Sequence, residues 1–263
     1  MAHTAKVVVV MPAYNAAKTL ERTVRDIPSG CVDEIMVVDD ASTDDTAEVA
    51  KRLGLRVIVH SENRGYGANQ KTCYDEALRR GADIVVMIHA DYQYDSRLTP
   101  YIVGIIRDGI CDVVLGSRIR TRREALDGGM PLYKYLSNRF LTITENIILG
   151  QNVSDFHTGL RGYARHVLET IPYHLNSDKF VFDTEFLVQA SYFGFKIGDI
   201  PVSARYFPEA SSVDFKNSLI YGVQTLWTLV KYLTHTFGIK RSPLFQARSS
   251  KVGPSLPMKL PET

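Results

Sequence analysis

Three scarcities narrow the range of functions before any motif is considered. The 263-residue chain has only three cysteines, Cys31, Cys73 and Cys111, and their spacing does not fit a metal site. So sparse and odd a set indicates structural thiols in a reducing, cytoplasmic compartment. Apolar runs are short, because no window reaches the roughly 18 uninterrupted apolar residues of a transmembrane helix. We therefore expect no membrane span.

A strong excess of basic charge is also missing. The chain has 31 Lys and Arg against 29 Asp and Glu, a net charge of +2, which argues against nucleic-acid binding. Residues 1–6 lack the apolar run and cleavage site of a signal peptide, so none is expected. With 45% hydrophobic and 23% charged residues, the composition fits one large soluble α/β domain.

What the chain does contain is an alternation of apolar strands and amphipathic helices. The predicted strands span residues 7–11, 34–38, 56–60, 84–88 and 112–115. The predicted helices between them span residues 17–27, 44–53, 66–79 and 98–107, the second capped by Ser42 or Thr43. This order predicts an α/β fold with a mostly parallel sheet flanked by helices. Polar residues follow four of the strands, and we expect them to form one site at the carboxyl edge of the sheet.

The alternation breaks after residue 116. Residues 117–131 form a predicted polar loop rich in arginine, followed by helices at 133–149, 183–193 and 219–237, a strand at 160–164 and an extended stretch at 196–206. The last helix is amphipathic and carries aromatic and basic residues, which fits either a membrane-surface helix or a helix packed on the sheet. Pro, Ser and Lys dominate after residue 240, which predicts a disordered tail over residues 241–263.

The most informative segment is His89-Ala90-Asp91-Tyr92-Gln93, directly after the buried strand 84–88. Asp91 and Gln93 offer oxygen donors two residues apart, which suits a hard divalent cation that carries a diphosphate. His89 is open to three interpretations: a nitrogen ligand, a neutral nucleoside contact, or the mark of a weakened metal site. We favour the nucleoside contact.

Neither common phosphate-binding motif occurs in the chain. Gly65-Tyr66-Gly67 begins a dinucleotide fingerprint, but position 70 is Gln, and there is no Walker A sequence. The glycine-rich loop at 63–69 brings its backbone close to a ligand or simply makes a tight turn, and both interpretations stay open.

The strand-end segments together resemble family 2 glycosyltransferases with the GT-A fold. These segments are Pro12-Ala13-Tyr14-Asn15, the acidic run at 39–46, the loop at 63–69 and Ala90-Asp91-Tyr92-Gln93. Segments at 116–118, 155–161, 182–185 and 201–206 are similar to the polyprenyl-phosphate branch, which includes dolichyl-phosphate mannose synthases. The resemblance covers residues 5–237. It implies one GT-A domain over residues 1–240, with a nucleotide-sugar-binding half at 1–116 and an acceptor-binding half at 117–240.

The resemblance implies an inverting enzyme that moves a sugar from a UDP- or GDP-linked donor to a polyprenyl phosphate. The implied donor-binding residues are Pro12, Ala13, Tyr14, Asn15, Val38, Asp39, Asp40, Asn63, Gly67, Asn69, His89, Ala90 and Asp91. Asp91 and Gln93 are expected to hold Mg²⁺ or Mn²⁺ against the leaving diphosphate. A lipid phosphate is already anionic and needs positioning cations rather than a base, and Arg118, Arg120 and Arg205 are expected to supply them. Asp91, Arg118 and Arg205 are the expected catalytic residues.

Three positions depart from the family pattern: Ala16 stands where Glu is usual, His89 where the first Asp is usual, and 209–212 lacks a Lys, with Lys216 the nearest. They point to a branch distinct from mannosyl transfer to dolichol. Two alternatives stay open: a same-fold transferase to a soluble sugar or peptide hydroxyl, with Asp155, Asp183 or Glu185 as base, and a non-catalytic nucleotide-sugar-binding protein. Asp155 and Arg161 are also candidates to pair with one another. The expected partners include the inner membrane surface and a separate membrane-protein subunit or a second copy of the chain.

Overall fold

A seven-stranded sheet forms the centre of the computed structural model, which describes residues 5–119, 121–127, 129–203 and 215–247. Its strands are β1 (Val7–Ala13), β2 (Glu34–Asp39), β3 (Arg56–Val59), β4 (Ile84–Ile88), β5 (Val113–Ser117), β6 (Leu160–Ala164) and β7 (Ile197–Pro201). The helices are α1 (Leu20–Arg25), α2 (Thr46–Arg52), α3 (Tyr66–Arg79), α4 (Thr99–Arg107), α5 (Arg122–Asp127), α6 (Leu132–Leu149), α7 (Arg165–Thr170), α8 (Phe182–Tyr192) and α9 (Phe215–Thr236). Short 3₁₀ turns lie at 96–98, 173–175 and 243–245.

The strand order is β3-β2-β1-β4-β6-β5-β7, and only β6 runs antiparallel to its neighbours in this described sheet. Val10 of β1 lies opposite both Met36 of β2 and Met87 of β4. The predicted mixed, mostly parallel α/β fold is confirmed, and β1 to β4 end together at one edge. Strands from both sides of residue 116 share the sheet, while the functional division there stays a prediction.

The side chains of β1 explain why the sheet has helices on both faces. Val8 and Val10 belong to a core cluster with Tyr74 of α3 and Phe186 of α8. Val7, Val9 and Met11 point the other way, into a second cluster with α1 and α4. Each such apolar side chain contributes about 1.5–3 kcal/mol when fully buried. The near-continuous apolar run is therefore what a strand buried on both faces requires.

Several predicted boundaries need correction. β1 does not end at Pro12, because Pro12 lies opposite Val38 within the parallel ladder. α2 begins at Thr46, and Ser42 does not cap it but hydrogen-bonds to Asp39. The predicted 17–27 helix is shorter in the structure, Leu20–Arg25.

The packed chain extends beyond the predicted boundary at residue 240. Leu244 and Phe245 are buried, and Gln189 Nε2 donates a hydrogen bond of 2.8 Å to the Leu244 carbonyl. Leu244 and Phe245, which the sequence placed in the predicted disordered tail, are therefore packed, and residues 248–263 lie outside the described ranges. Among the helices of the described ranges, none has the length and apolarity needed to cross a bilayer.

Candidate active site

The ends of β1 and β2 are tied together by Asn69 from α3. Its Nδ2 donates to the Val38 carbonyl at 3.0 Å and to the Ala13 carbonyl at 3.3 Å. Asn69 is buried, so the structure gives this predicted donor ligand a positioning role. Tyr14 follows the tied strand end with 52% of its surface exposed, which leaves its ring accessible to a nucleobase. Next to it, the Asn15 side-chain oxygen accepts a bond from the Thr43 N–H at 2.9 Å.

Asp39 and Asp40 are both buried at the end of β2, and each organises a different loop. Asp40 accepts the backbone N–H groups of Arg64 and Gly65, both at 2.9 Å, and lies 2.6 Å from His60 Nδ1. Asp39 accepts the Ser42 N–H at 3.1 Å. Neither carboxylate caps α2, whose N-cap is Asp45. Their predicted contacts to base or ribose stay predictions.

The loop before α3 packs on protein backbone. Gly65 has φ +98°, and a Cβ there would lie 2.7 Å from the Asp178 carbonyl oxygen. A Cβ on Gly67 would lie 2.3 Å from the Ser177 carbonyl oxygen, and the Gly67 N–H donates to Asp178 at 2.8 Å. The two glycines are therefore required by close packing against residues 177–178. Asn63 in the same loop is exposed, and its predicted contact with the nucleotide-sugar donor stays a prediction.

Asp91 and Gln93 lie buried in a tight turn beyond β4. Asp91 Oδ1 accepts the Gln93 N–H at 3.0 Å, and Tyr92 between them adopts a left-handed φ of 58°. The Thr19 hydroxyl donates to the Ala90 carbonyl at 2.7 Å and so anchors the turn to the start of α1. These hydrogen bonds within the protein fix the conformation of the turn.

This donor set fits a divalent cation that is shared with a diphosphate. Mg²⁺ is commonly held by one or two carboxylates while phosphate oxygens and water complete its shell. Asp91 supplies one buried carboxylate and Gln93 a neighbouring amide oxygen. Within the described ranges no group of three or more His, Cys, Asp or Glu side chains is arranged to hold a metal. Asp91 and Gln93 together therefore offer two of the oxygen ligands that such a cation takes.

His89 belongs to a buried polar network that the sequence did not reveal. Its Nε2 lies 2.9 Å from the Tyr66 hydroxyl, which donates to Asp183 Oδ2 at 2.7 Å. Arg161 Nη2 lies 3.0 Å from the same Asp183 oxygen, and Gln70 Nε2 donates to the other at 2.9 Å. Burial lowers the pKa of His89 below its ordinary value, although the Asp91 charge acts in the opposite direction.

Arg118 and Asp155 form a second buried pair at the end of β5. Arg118 Nε donates to Asp155 Oδ2 at 2.8 Å, and Asn138 Nδ2 donates to Oδ1 at 2.8 Å. Burial alone would raise the pKa of Asp155, but the Arg118 charge and these hydrogen bonds hold it well below its usual range. The suggested pairing of Asp155 with Arg161 is wrong, because Arg161 pairs with Asp183.

The remaining predicted acceptor cations are only partly covered by the structure. Arg120 and Arg205 lie outside the described residues, so their roles stay predictions. Arg122 and Arg123 lie on the short helix α5, which the sequence did not predict. Arg123 is exposed and pairs with Asp127 one turn later at 3.4 Å, which is how an ordinary solvated helix behaves.

Comparison with known proteins identifies the family. The model of glycosyl transferase family 2 matches residues 8–171, more than half of the chain. The chain belongs to this family. This match confirms the predicted family and the prediction that the chain is a glycosyltransferase, and the dolichyl-phosphate relatives described next support the polyprenyl-phosphate branch.

Two curated relatives cover most of the chain. The UDP-N-acetylglucosamine–dolichyl-phosphate N-acetylglucosaminyltransferase of Methanococcus voltae is 29% identical, over 75% of this chain and 84% of its own length. A dolichyl-phosphate hexose transferase of Haloferax volcanii is 30% identical, over 75% of this chain and 82% of its own length.

A solved structure supports the fold. It is glucosyl-3-phosphoglycerate synthase from Mycobacterium tuberculosis in complex with Mn²⁺, uridine diphosphate and phosphoglyceric acid. It aligns with a TM-score of 0.67 and 20% identity, over 87% of this chain and 78% of its own. At this identity the likeness establishes the shared GT-A architecture and no more.

Proposed function

We propose that the enzyme transfers a sugar from a nucleoside diphosphate donor to a polyprenyl phosphate at a membrane surface, with inversion at the anomeric carbon. The names of the two curated relatives support a lipid-phosphate acceptor. The observation that carries the membrane part is the set of exposed apolar side chains on α6 and α9, two helices that pack against each other. We call it the α6–α9 face.

The α6–α9 face concentrates large apolar and aromatic side chains that are exposed on the described part of the fold. These side chains recur at helical spacing on α6 and again on α9, and the two helices pack against each other. They are Leu132, Tyr133, Leu136, Phe140, Ile143 and Ile147 on α6, and Leu219, Ile220, Val223, Trp227 and Val230 on α9. So many exposed apolar side chains on two neighbouring helices mark an interaction site.

The charges on the same helices favour an anionic bilayer as the occupant. The described side chains of the two helices include the basic residues Lys134, Arg139 and Lys231, and their single acidic residue, Glu145, is buried. Basic residues beside apolar and aromatic ones suit a helix that lies in the headgroup region of anionic lipid. This arrangement supports peripheral attachment to the inner membrane face.

Contacts through His157 connect α6 and α9 to the pair that contains Arg118. His157 Nδ1 lies 2.7 Å from the Tyr221 hydroxyl of α9, and its Nε2 lies 3.1 Å from Glu145 of α6. The His157 N–H donates to Asp155 at 3.0 Å, and Asp155 holds Arg118. A lipid phosphate emerging from the bilayer would therefore meet Arg118 as a pre-oriented cation.

The proposed reaction needs positioning and charge stabilisation rather than a base. The acceptor phosphate oxygen attacks the anomeric carbon directly, because it is ionised at neutral pH, and one displacement inverts the configuration. Arg118 orients the attacking phosphate. Asp91 and Gln93 would hold Mg²⁺ or Mn²⁺, which supplies Lewis-acid stabilisation of the departing diphosphate. Tyr14 and the buried end of β2 would hold the nucleoside.

A hydroxyl acceptor is less well supported, because the three candidate bases are already engaged. Asp155 is paired with Arg118, and Asp183 accepts from Tyr66, Gln70 and Arg161. Glu185 accepts the Ser177 N–H at 2.6 Å and lies 3.5 Å from Lys231. To accept a proton from a substrate hydroxyl, each of these carboxylates would have to give up its present partners.

A two-phase transfer assay tests the proposal. Purified protein with Mn²⁺ is offered radiolabelled UDP- and GDP-sugars together with several polyprenyl phosphates, and the label is followed into organic solvent. We expect lipid-extractable product from at least one donor. Label that appears only in a water-soluble glycoside would favour the hydroxyl acceptor, and tight nucleotide binding without turnover would favour the non-catalytic protein.

A further inference from the structure

His157 contacts the pair of Arg118 and Asp155 with its backbone and two helices with its ring. Its N–H donates to Asp155 Oδ1 at 3.0 Å, and its carbonyl oxygen accepts a hydrogen bond from Arg118 Nη2. Its ring lies between α6 and α9, and 11% of the side chain is exposed. The place of the Arg118 guanidinium therefore depends on where the backbone of residue 157 lies.

On the α9 side, the ring of His157 contacts Tyr221. Nδ1 lies 2.7 Å from the Tyr221 hydroxyl, and the two rings meet edge to face with their centroids 5.4 Å apart. The same hydroxyl lies 3.1 Å from Thr184 Oγ1 of α8, which lies 3.2 Å from Thr225 Oγ1 of α9. Burial raises the pKa of Tyr221 above its ordinary value, so the hydroxyl keeps its proton. A small polar cluster thus joins the ring to α8 and α9.

On the α6 side, the ring faces a buried acid. Nε2 of His157 lies 3.1 Å from Oε2 of Glu145, which is 1% exposed. Within the described ranges, neither carboxylate oxygen of Glu145 accepts a hydrogen bond of good geometry. A buried carboxyl group with few polar partners is costly, so the approach of the His157 ring favours holding that ring against α6.

The loop that contains His157 also has anchors of its own. The Phe156 side chain is 1% exposed, and the Thr158 hydroxyl donates to the Gly116 carbonyl. We therefore expect the loop to fold without the His157 ring. Loss of the ring contacts should then act mainly on the position of the backbone at residue 157, and through it on the buried ion pair.

We propose that His157 is a positioning residue for the acceptor. Its ring, held by Tyr221 of α9 and Glu145 of α6, fixes the backbone that holds Arg118. The helices that carry the α6–α9 face are then linked through one residue to the affinity for the acceptor phosphate. This link to the acceptor rests on the proposed function, in which Arg118 orients the attacking phosphate. The effect of the ring on Arg118 does not.

The first test measures Arg118 without any ligand. Nitrogen-15 NMR of the arginine Nε–H groups, with the Arg118 signal assigned by Arg118→Lys, reports how fast this proton exchanges with water. Tyr221→Phe removes only the hydroxyl that meets the His157 ring, so exchange should become at least about threefold faster. His157→Ala removes both ring contacts and should have a larger effect.

Tyr192→Phe is the matched control for this test. It removes a tyrosine hydroxyl that lies 3.1 Å from His235 Nε2, in a second contact between a tyrosine and a histidine of α8 and α9. Exchange at Arg118 should not change in this variant. Unchanged exchange in Tyr221→Phe, or an equal change in Tyr192→Phe, would overturn the proposal. Tyr221→Phe decides the test even if urea unfolding shows that His157→Ala does not fold.

The second test separates substrate affinity from turnover. The acceptor is polyprenyl phosphate dispersed in detergent, so that attachment to a bilayer does not enter the measurement. Tyr221→Phe and His157→Ala should raise the acceptor KM about three- to tenfold, with the donor KM nearly unchanged. His157→Asn should recover part of the loss seen in His157→Ala, because its amide group can reach the Tyr221 hydroxyl. A lower kcat with an unchanged acceptor KM, or an equal rise in both KM values, would overturn the proposal.

Failure of the proposed function and failure of this proposal give different results. If the unaltered protein transfers sugar to no polyprenyl phosphate, the proposed function fails, and the NMR result still decides whether the His157 ring positions Arg118. If transfer occurs but Tyr221→Phe has the acceptor KM of the unaltered protein, the proposed function stands and the proposal for His157 fails.

Discussion

Arg118 grips Asp155 with two hydrogen bonds, from Nε to Oδ2 at 2.8 Å and from Nη2 to Oδ1 at 3.2 Å. Asn138 and the His157 N–H satisfy Asp155 further. The side chain of Asp155 is fully buried and that of Arg118 is 12% exposed. The carboxylate therefore orients the Arg118 cation, and in the proposed reaction this pair would fix where an anionic acceptor binds.

Asp155→Asn should destabilise the fold, because the Arg118 charge then remains in a largely buried site without its partner. Breaking such a pair costs about 3 kcal/mol. Urea unfolding at pH 7 measures this directly. Asp127→Asn is the control, since its pair with Arg123 is exposed and its removal should have little effect. Equal losses in the two variants would contradict a buried, oriented pair.

The same variant also tests how the contribution of Asp155 to the free energy of unfolding depends on pH. The pKa of Asp155 is lowered in the folded state, so its stabilisation is complete above the unfolded pKa of about 3.9 and declines as the pH falls below it. The amide that replaces the carboxyl group in Asp155→Asn cannot titrate. The difference in unfolding free energy between the unaltered protein and this variant should therefore narrow as the pH falls from about 5 to about 3. A difference that is constant over this range would contradict the assignment.

Arg118→Lys should separate acceptor binding from donor binding. Lysine keeps the charge but loses the planar fork that meets both Asp155 and a phosphate. We expect the acceptor KM to rise about tenfold, equivalent to ~1.4 kcal/mol, with the donor KM nearly unchanged. Steady-state kinetics with each substrate varied in turn gives this comparison. A selective rise in the donor KM would instead place Arg118 at the diphosphate.

Gly159→Ala should be costly because of His89. The new Cβ would lie 2.3 Å from His89 Nδ1, and a movement of the ring away from it would break the contact between His89 Nε2 and the Tyr66 hydroxyl. We expect a loss of about 1–3 kcal/mol in the free energy of unfolding. Gly104→Ala in α4 is the control, since a Cβ there meets nothing within 4 Å and should stabilise the helix by about 0.5–1 kcal/mol.

A double variant isolates the cause of the Gly159 effect. In a His89→Ala background, Gly159→Ala should lose most of its cost, because the ring that it strikes is gone. A penalty that stays the same in both backgrounds would show that the space at Gly159 is limited by something other than His89.

The sequence predicted the first half of the fold well because its signal is local. Strands β1 to β4 are apolar runs that end in polar residues, and parallel strands bring such ends to one edge. It could not predict that β6 inserts antiparallel between β4 and β5, because that pairing depends on contacts distant along the chain.

The candidate site shows the same limit. Asp91 and Gln93 could be predicted from their position after a strand, whereas the partners of Asp183 and Arg161 come from separate elements. Asn69 and Gly67 match ligand-binding motifs, yet in the structure they tie backbone segments together. Sequence alone does not distinguish a residue that touches a ligand from one that shapes the surface beneath it.

The last prediction concerns the α6–α9 face. The sequence offered membrane contact as one interpretation of the last helix, α9, but not of α6. Phe140→Ser and Trp227→Ser each remove an exposed apolar side chain from this face, so stability should stay unchanged. Burial of such a side chain in lipid contributes about 1.5–3 kcal/mol, so binding to vesicles should fall at least about tenfold.

Flotation with vesicles that contain phosphatidylglycerol measures this binding. Tyr101→Ser and Ile110→Ser are matched controls, because both side chains are comparably exposed but lie on or beside α4, whose core contacts are on the other face of the sheet. Equal losses for controls and test variants would contradict a localised lipid surface. If vesicle binding persists while Phe140→Ser and Trp227→Ser dissociate an oligomer in light scattering, the α6–α9 face is an interface between copies of the chain. In a third outcome, the variants lose vesicle binding but still transfer sugar to detergent-dispersed polyprenyl phosphate. This result would confirm that the α6–α9 face attaches the enzyme to the bilayer and takes no part in the chemistry.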